Sequence, residues 1–203
     1  QESIDIWLIG KQVYDLKKFM VGYLQLTIDV DSSCQARIIW GGKLGSNSRV
    51  LRYFNQEDVI NLPQGKSRWN QFSRRAGRYF EIISNCKGNL SPGFNRVSYP
   101  FSMPNFDKFE SEQDKLIYEL SINTLKNNVQ DHLEDSVERE KAMYVGDSFA
   151  MSKCLLENRE NGNYVKEMIR RFAKSQDDRG RIPANILSNK WQFIPGYQMQ
   201  WAV

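Results

Sequence analysis

Residues 102–114 read SMPNFDKFESEQD, and the chain changes character across them. Upstream, apolar residues recur at every second position; downstream, they recur at every third or fourth. Pro100 and Pro104 punctuate the junction, and Ser111 followed by Asp114 has the form of a helix N-cap with a carboxylate three residues on. The change of period predicts a strand-built domain over residues 1–105 and a helical one over 106–203.

The upstream part is read from its alternation. VGYLQLTIDV (21–30) sets Leu24, Leu26 and Ile28 against Tyr23, Gln25 and Thr27, the period of a half-buried strand. CQARIIWGG (34–42) and RYFEIISN (78–85) repeat the habit. Turn-rich clusters lie between the runs, among them GGKLGSNS, NLPQGKS and NCKGNLSPGFN. Short strands at this spacing predict an antiparallel β-sandwich, jelly-roll-like, with Trp7, Trp40 and Trp69 in its core.

Downstream, Leu116, Ile117, Leu120, Leu125, Val129 and Leu133 predict one long amphipathic helix. A second helix is expected from Asp147 or Ser148, carrying Phe149, Met151, Leu155 and Leu156. A third runs from about Tyr164 through Val165, Met168, Ile169 and Phe172, and a fourth begins near Tyr197. Stripes of this kind each need something to bury against, so the segment reads as a piece of a longer protein.

Composition excludes several functions. Lysine and arginine number 28 against 24 acidic residues, a net charge of +4, and Arg74-Arg75 and Arg170-Arg171 are isolated pairs, so nucleic acid is not an expected partner. No apolar run approaches the roughly 18 residues of a membrane span. Cys34, Cys86 and Cys154 are read as buried thiols, with a Cys34–Cys86 bridge as the alternative outside the cytoplasm. One histidine, His132, leaves too few ligands for most metal or triad chemistry. No metal or cofactor is expected, nothing sets an oligomeric state, and catalysis would have to run on carboxylates.

Those carboxylates crowd into DSVEREKAMYVGD (135–147). On an unbroken helix, Glu140 and Asp147 would be nearly in line and roughly 10 Å apart, with Asp135 turned some 130° away. Gly146 suggests a turn there, with Asp147 capping the next helix, and a helix-end, loop, helix-start arrangement could converge all three. The plainer reading is a solvated charged helix end. Met143, Tyr144 and Val145 follow directly, which argues against simple solvation. Arg139 could keep one carboxylate ionised while another is raised, the asymmetry that glycoside hydrolysis requires. His132 would be either a partner of this site or a helix-end histidine bonded to backbone.

HLEDSVEREKAMYVGDS (132–148) resembles the Asp-x-x-x-Arg-Glu and Gly-Asp segment of the α-L-rhamnosidases of glycoside hydrolase family 78. YDLKKFMVGYLQLTI (14–28), RRAGRYFEII (74–83) and DDRGRIPAN (177–185) are also similar to that family's β-domain and early helical segments. The resemblance implies a β-domain followed by the first helices of a six-hairpin α/α toroid. It implies an inverting α-L-rhamnosidase acting on a rhamnose-containing carbohydrate, with Glu140 as general acid and Asp135, Arg139 and Asp147 around the sugar. Trp191, Trp201 and Tyr197 offer rings on which the deoxysugar could stack, Trp191 first among them, and the plainer reading of each is a packing residue.

The family's general base is a second Glu on a later helix. A toroid of some twelve helices needs about 200 residues or more; only 98 follow residue 105 (203 minus 105), so no residue here is named base. Gly196 stands where relatives often carry an acidic residue. The resemblance suits a periplasmic or secreted enzyme, with a cytoplasmic one as alternative, and the start Gln1-Glu2-Ser3 is not that of a signal peptide. The competing reading is a non-catalytic carbohydrate-binding or interaction module.

Overall fold

The computed structural model describes residues 7–10, 12–103 and 109–202, without the side chains of 7–10. The chain forms two compact units, Gln1–Val97 and Ser98–Val203. The expected junction at 105/106 lies outside the described residues, as does the side chain of Trp7.

The first unit is antiparallel β-structure. Its strands are β1 (Trp7–Gly10), β2 (Val13–Val30), β3 (Cys34–Gly41), β4 (Lys43–Leu44), β5 (Val50–Leu51), β6 (Glu57–Leu62), β7 (Gly65–Asn70), β8 (Arg75–Ser84) and β9 (Gly88–Arg96). The two stacked sheets of a sandwich are replaced by one curled sheet of seven strands, with β4 and β5 as a separate pair. The reason is the length of β2. Its 18 residues pair with β1 and β8 at one end and with β7 and β9 at the other, so a single strand serves both layers.

Two local features let β2 curl. Between Asp15 and Met20 its register against β8 shifts, and Lys17 takes a positive φ of 69°, its amide donating to Asp15 Oδ1 at 2.7 Å. This is a bulge that bends the strand. At Gly22, which pairs with Arg75 of β8 on one edge and Arg96 of β9 on the other, a Cβ would sit 2.1 Å from the Asn95 carbonyl oxygen, so no side chain fits.

The alternation read from the sequence holds beyond the bend. Leu24, Leu26, Ile28 and Val30 are buried, whereas Thr27 and Asp29 are exposed. They join Ile38, Trp40, Phe80, Ile82 and Phe94 in one core, where the Trp40 ring lies 5.0 Å from Phe80 and 5.7 Å from Phe94. Trp69 packs at the edge of that core. Cys34 and Cys86 are joined as a disulfide at a Cα separation of 5.2 Å, not held as thiols. They meet because β3 and β8 are adjacent strands, and Cys34 begins one while Cys86 follows the other.

The second unit contains α1 (Glu112–Asn128), β10 (Met143–Tyr144), α2 (Val145–Leu156), a 3₁₀ turn at Arg159–Asn161, α3 (Gly162–Lys174), β11 (Asn185–Ile186) and α4 (Pro195–Trp201). Ser111 is the N-cap, its Oγ accepting from the Asp114 amide at 3.1 Å. The predicted stripe divides in two. Leu125, Val129 and Leu133 are buried with α2 and α3, but Leu116, Ile117 and Leu120 are each more than half exposed, so the first half of α1 has an uncovered apolar face.

α1 also stops five residues short of Leu133. The Asn128 side chain bonds back to the Thr124 carbonyl, and Val129 turns extended to bridge to Leu133. Tyr164, Val165, Met168 and Phe172 of α3 form the predicted buried stripe, with Ile169 half-exposed. Cys154, expected inside, is exposed on α2.

Candidate active site

The acidic motif is a loop, clasped at its base. Asp135 Oδ1 accepts from the Ala142 amide at 3.0 Å, and the Asp135 amide donates to the Ala142 carbonyl at 2.9 Å. Ser136 holds the far side, its Oγ accepting from the Glu140 amide and donating to Asp135 Oδ2, while its carbonyl accepts from Lys141. Val137–Glu140 is thereby a turn, and Lys141 leaves it at a φ of 55°. His132 braces the loop from beneath. Its Nε2 donates to the Lys141 carbonyl at 2.8 Å and its Nδ1 lies 3.0 Å from Asp131 Oδ1, so the histidine is bonded to backbone. Asp131, His132 and Glu134 put possible ligand atoms within 4.8 Å of one another. Both ring nitrogens already have these contacts, which makes His132 part of the scaffold.

From the loop the chain enters β10 and then α2. β10 pairs with β11, Tyr144 opposite Asn185, and this fixes where the tyrosine stands. α2 begins at Val145, two or three residues earlier than expected, with Tyr144 in the N-cap position. Gly146 is therefore inside the helix rather than at a turn, and Asp147 lies in the first turn rather than capping it. The glycine is needed for a different reason: a Cβ there would come within 2.7 Å of the Tyr197 ring of α4.

Asp135 and Glu140 lie close enough to Asp147, and to Tyr144, to act on the proton of each. Burial, and then the negative charges of Asp135 and Glu140, raise the Asp147 carboxyl above the usual carboxylate range. The Tyr144 phenol is pushed up to about 12, first by its hydrogen bond to Glu140, then by burial and by the charges of Glu140 and Asp135. Arg139 Nη2 pairs with Glu140 Oε1 at 3.0 Å, both side chains more than a third exposed. The arginine therefore sits on Glu140, and the raised carboxyl is that of Asp147. Burial also raises half-buried Glu138 of the same turn.

Trp191 is half exposed, and its neighbour Gln192 donates from Nε2 to the Tyr144 hydroxyl at 3.2 Å. Tyr197 and Trp201 pack on the core of this unit, the plainer of their two readings. Tyr144 and Gln192 are the site residues that the motif did not single out. Tyr144 carried a signal as the polar-tipped member of the apolar run after the charges; Gln192 carried none, because only the pairing of β10 with β11 brings it near. Gly196 stands in α4 with open space where a side chain would be.

No protein-family model matches the chain, and no curated protein does. Solved structures do. An α-L-rhamnosidase from Dictyoglumus thermophilum aligns over 98% of this chain and 24% of its own length, with a TM-score of 0.82 at 17% identity. A family 78 rhamnosidase of Bacillus sp. GL1 aligns over 97% of this chain and 22% of its own, with a TM-score of 0.76 at 15% identity. The α-L-rhamnosidase of Streptomyces avermitilis, solved in complex with L-rhamnose, aligns over 91% and 19%, with a TM-score of 0.70 at 18% identity. The chain spans a quarter or less of each of these three proteins. In fold, this chain is similar to part of the family 78 α-L-rhamnosidases.

Proposed function

We propose that this chain is the β-domain and opening helices of an inverting α-L-rhamnosidase, which hydrolyses terminal α-L-rhamnosyl residues of glycosides or polysaccharides. The observation that carries the reading is the convergence of Asp135, Glu140 and Asp147, close enough that two of them raise the proton affinity of the third. Glu140 is the general acid, donating its proton to the departing glycosidic oxygen. Asp135, Arg139 and Asp147 hold the sugar's hydroxyls, and Trp191 offers a ring to its apolar face. A water activated by a carboxylate from elsewhere in the complete protein attacks the opposite face, which inverts the anomeric carbon.

The uncovered stripe of Leu116, Ile117 and Leu120 supports further helices of a toroid packing on α1. The Cys34–Cys86 disulfide supports a periplasmic or secreted location.

The test is Glu140→Gln in the complete protein. Release of rhamnose from an alkyl α-L-rhamnoside falls by a factor of about 10² to 10⁴ while L-rhamnose affinity, measured by calorimetry, is kept. Activity near that of the unaltered protein would sink the assignment. One observation favours a non-catalytic carbohydrate-binding or interaction module instead: Arg139 and Glu140 form a solvent-exposed pair, as in an ordinary charged turn. Rhamnose binding without turnover in the complete protein would select that second reading.

A further inference from the structure

One peptide unit close behind Glu140 is gripped at both ends. In the unit that joins Lys141 to Ala142, the carbonyl accepts from His132 Nε2 at 2.8 Å and the N–H donates to Asp135 Oδ1 at 3.0 Å. A carbonyl can only accept, so Nε2 carries the proton of that bond. The unit before it is held as well, the Lys141 N–H donating to the Ser136 carbonyl at 3.0 Å. Between the two, Lys141 keeps a φ of 55°, a left-handed conformation that a residue with a Cβ adopts only under constraint. The turn that presents Glu140 therefore depends on bonds that hold its neighbour where it would not otherwise stay.

These bonds have different anchors. Asp135 and Ser136 belong to the loop itself, and they set its shape. His132 precedes the loop and stands on the core of the unit. The bridge between Val129 and Leu133 joins two fully buried residues on either side of it. Gln130 donates its amide to the His132 carbonyl at 3.0 Å, and the Tyr164 hydroxyl of α3 donates to the Gln130 carbonyl at 3.0 Å. Arg171 of the same helix donates from Nη1 to the Asp131 carbonyl at 3.0 Å. The imidazole is buried, and its Nδ1 lies 3.0 Å from Asp131 Oδ1. A ring engaged at both nitrogens carries the position of the core to the Lys141 carbonyl with little slack.

Glu140 needs such support. Its side chain is 36% exposed and pairs with that of Arg139, which is 57% exposed, and an ion pair so open to water fixes a carboxyl weakly. Where the carboxyl can reach is set largely by the backbone on which it stands.

We propose that His132 is a positioning residue for Glu140, acting through the Lys141 carbonyl. The proposal rests on the reading of Glu140 as general acid. It goes beyond that reading by giving the single histidine of the chain a part in the reaction, that of tying the aim of the acid to the core shared by α1 and α3.

The experiment measures turnover of two α-L-rhamnosides in the complete protein, one with an alkyl and one with a dinitrophenyl leaving group. Protonation by the acid matters for the alkoxide and hardly for the dinitrophenolate, which leaves unaided. His132→Asn keeps a polar amide beside Asp131 but is too short to reach Lys141, and it lowers kcat on the alkyl substrate by about ten- to a hundredfold, the order expected when an acid is misplaced. On the dinitrophenyl substrate kcat stays within about twofold, which also reports that the variant is folded, and KM on both stays within about twofold. His132→Gln is longer by one methylene, places an N–H near where Nε2 stood, and recovers most of the loss.

Equal losses on both substrates, a loss in KM alone, or a His132→Gln protein as impaired as His132→Asn overturns the positioning role. Glu140→Gln is run beside them. If it shows the leaving-group dependence and His132→Asn does not, the positioning proposal fails and the acid reading stands. If Glu140→Gln shows none, or the unaltered protein releases no rhamnose, the acid reading fails and takes this proposal with it.

Discussion

Asp135 and Ala142 are joined by two hydrogen bonds, one from the Ala142 amide to the aspartate carboxylate and one from the aspartate amide to the Ala142 carbonyl. They close a loop of eight residues, and Glu140 lies inside it. Asp135 is thus a clasp in addition to being a candidate sugar contact. Replacing it by Ala leaves a partly buried amide without its acceptor, and about 1–3 kcal/mol of stability is lost. Asp135→Asn keeps a carbonyl oxygen toward Ala142 and recovers most of that. Urea denaturation of the two variants checks this, and equal losses in both would show that charge, rather than the clasp, is what matters at this position.

Gly146→Ala has two opposed effects. Alanine is better than glycine inside a helix by about 1 kcal/mol. The new Cβ, however, meets the Tyr197 ring at 2.7 Å, and crowding of that kind in a packed site costs about 1–3 kcal/mol. The clash outweighs the propensity, so the variant melts lower than the unaltered protein, and Tyr197→Ala in the same chain reverses the sign. A Gly146→Ala protein that melts higher with Tyr197 in place would refute the packing account.

Strand periodicity and the Ser111 cap were legible because each depends on residues close in sequence: Leu24, Leu26 and Ile28 alternate, and Ser111 reaches only to Asp114. The curl of the sheet was not, since it depends on one strand being long enough to pair with four others and on a bend at Lys17, a residue with no glycine-like signature. The site divides in the same way. The carboxylates announce themselves by crowding, but Gly146 has the local look of a turn, because its actual constraint, the Tyr197 ring, lies 51 positions away (197 minus 146). Leu116, Ile117 and Leu120 show the converse: periodicity gives the apolar face, and says nothing of whether the chain at hand covers it.

The Cys34–Cys86 disulfide spans 52 residues. In the chain-entropy account, a loop of that size restrains the unfolded chain by about 4 kcal/mol. Cys34→Ser/Cys86→Ser therefore lowers the unfolding free energy of the β-structured unit by about 2–4 kcal/mol, read from urea unfolding followed by tryptophan fluorescence. Reduction of the unaltered protein with dithiothreitol gives a matching loss. Unfolding midpoints that do not move under either treatment would mean that the bridge does not form in solution.

Two aspartates make stability respond to pH in opposite directions. At Asp15, burial favours the protonated form, but the hydrogen bond from Arg78, the Lys17 amide and the attraction of Arg78 together outweigh it and lower the pKa. Its stabilisation is present above the ordinary carboxylate range and is lost as pH falls through the lowered native value. At Asp147, burial and two like charges raise the pKa, so the folded state binds the proton more tightly than the unfolded chain does. Ionising it costs stability, and that penalty grows as pH rises from about 4 toward the raised native value. Asp147→Asn therefore raises the melting temperature at pH 7, with the gain shrinking toward pH 4, whereas Asp15→Asn lowers it at pH 7, with the loss shrinking as pH falls below 4. Melting curves across that range for the two variants decide the matter. An Asp147→Asn protein less stable than the unaltered one at pH 7 would mean that this carboxylate is held ionised by a partner, and that the convergence of negative charge on which the active-site reading stands is not what governs its proton.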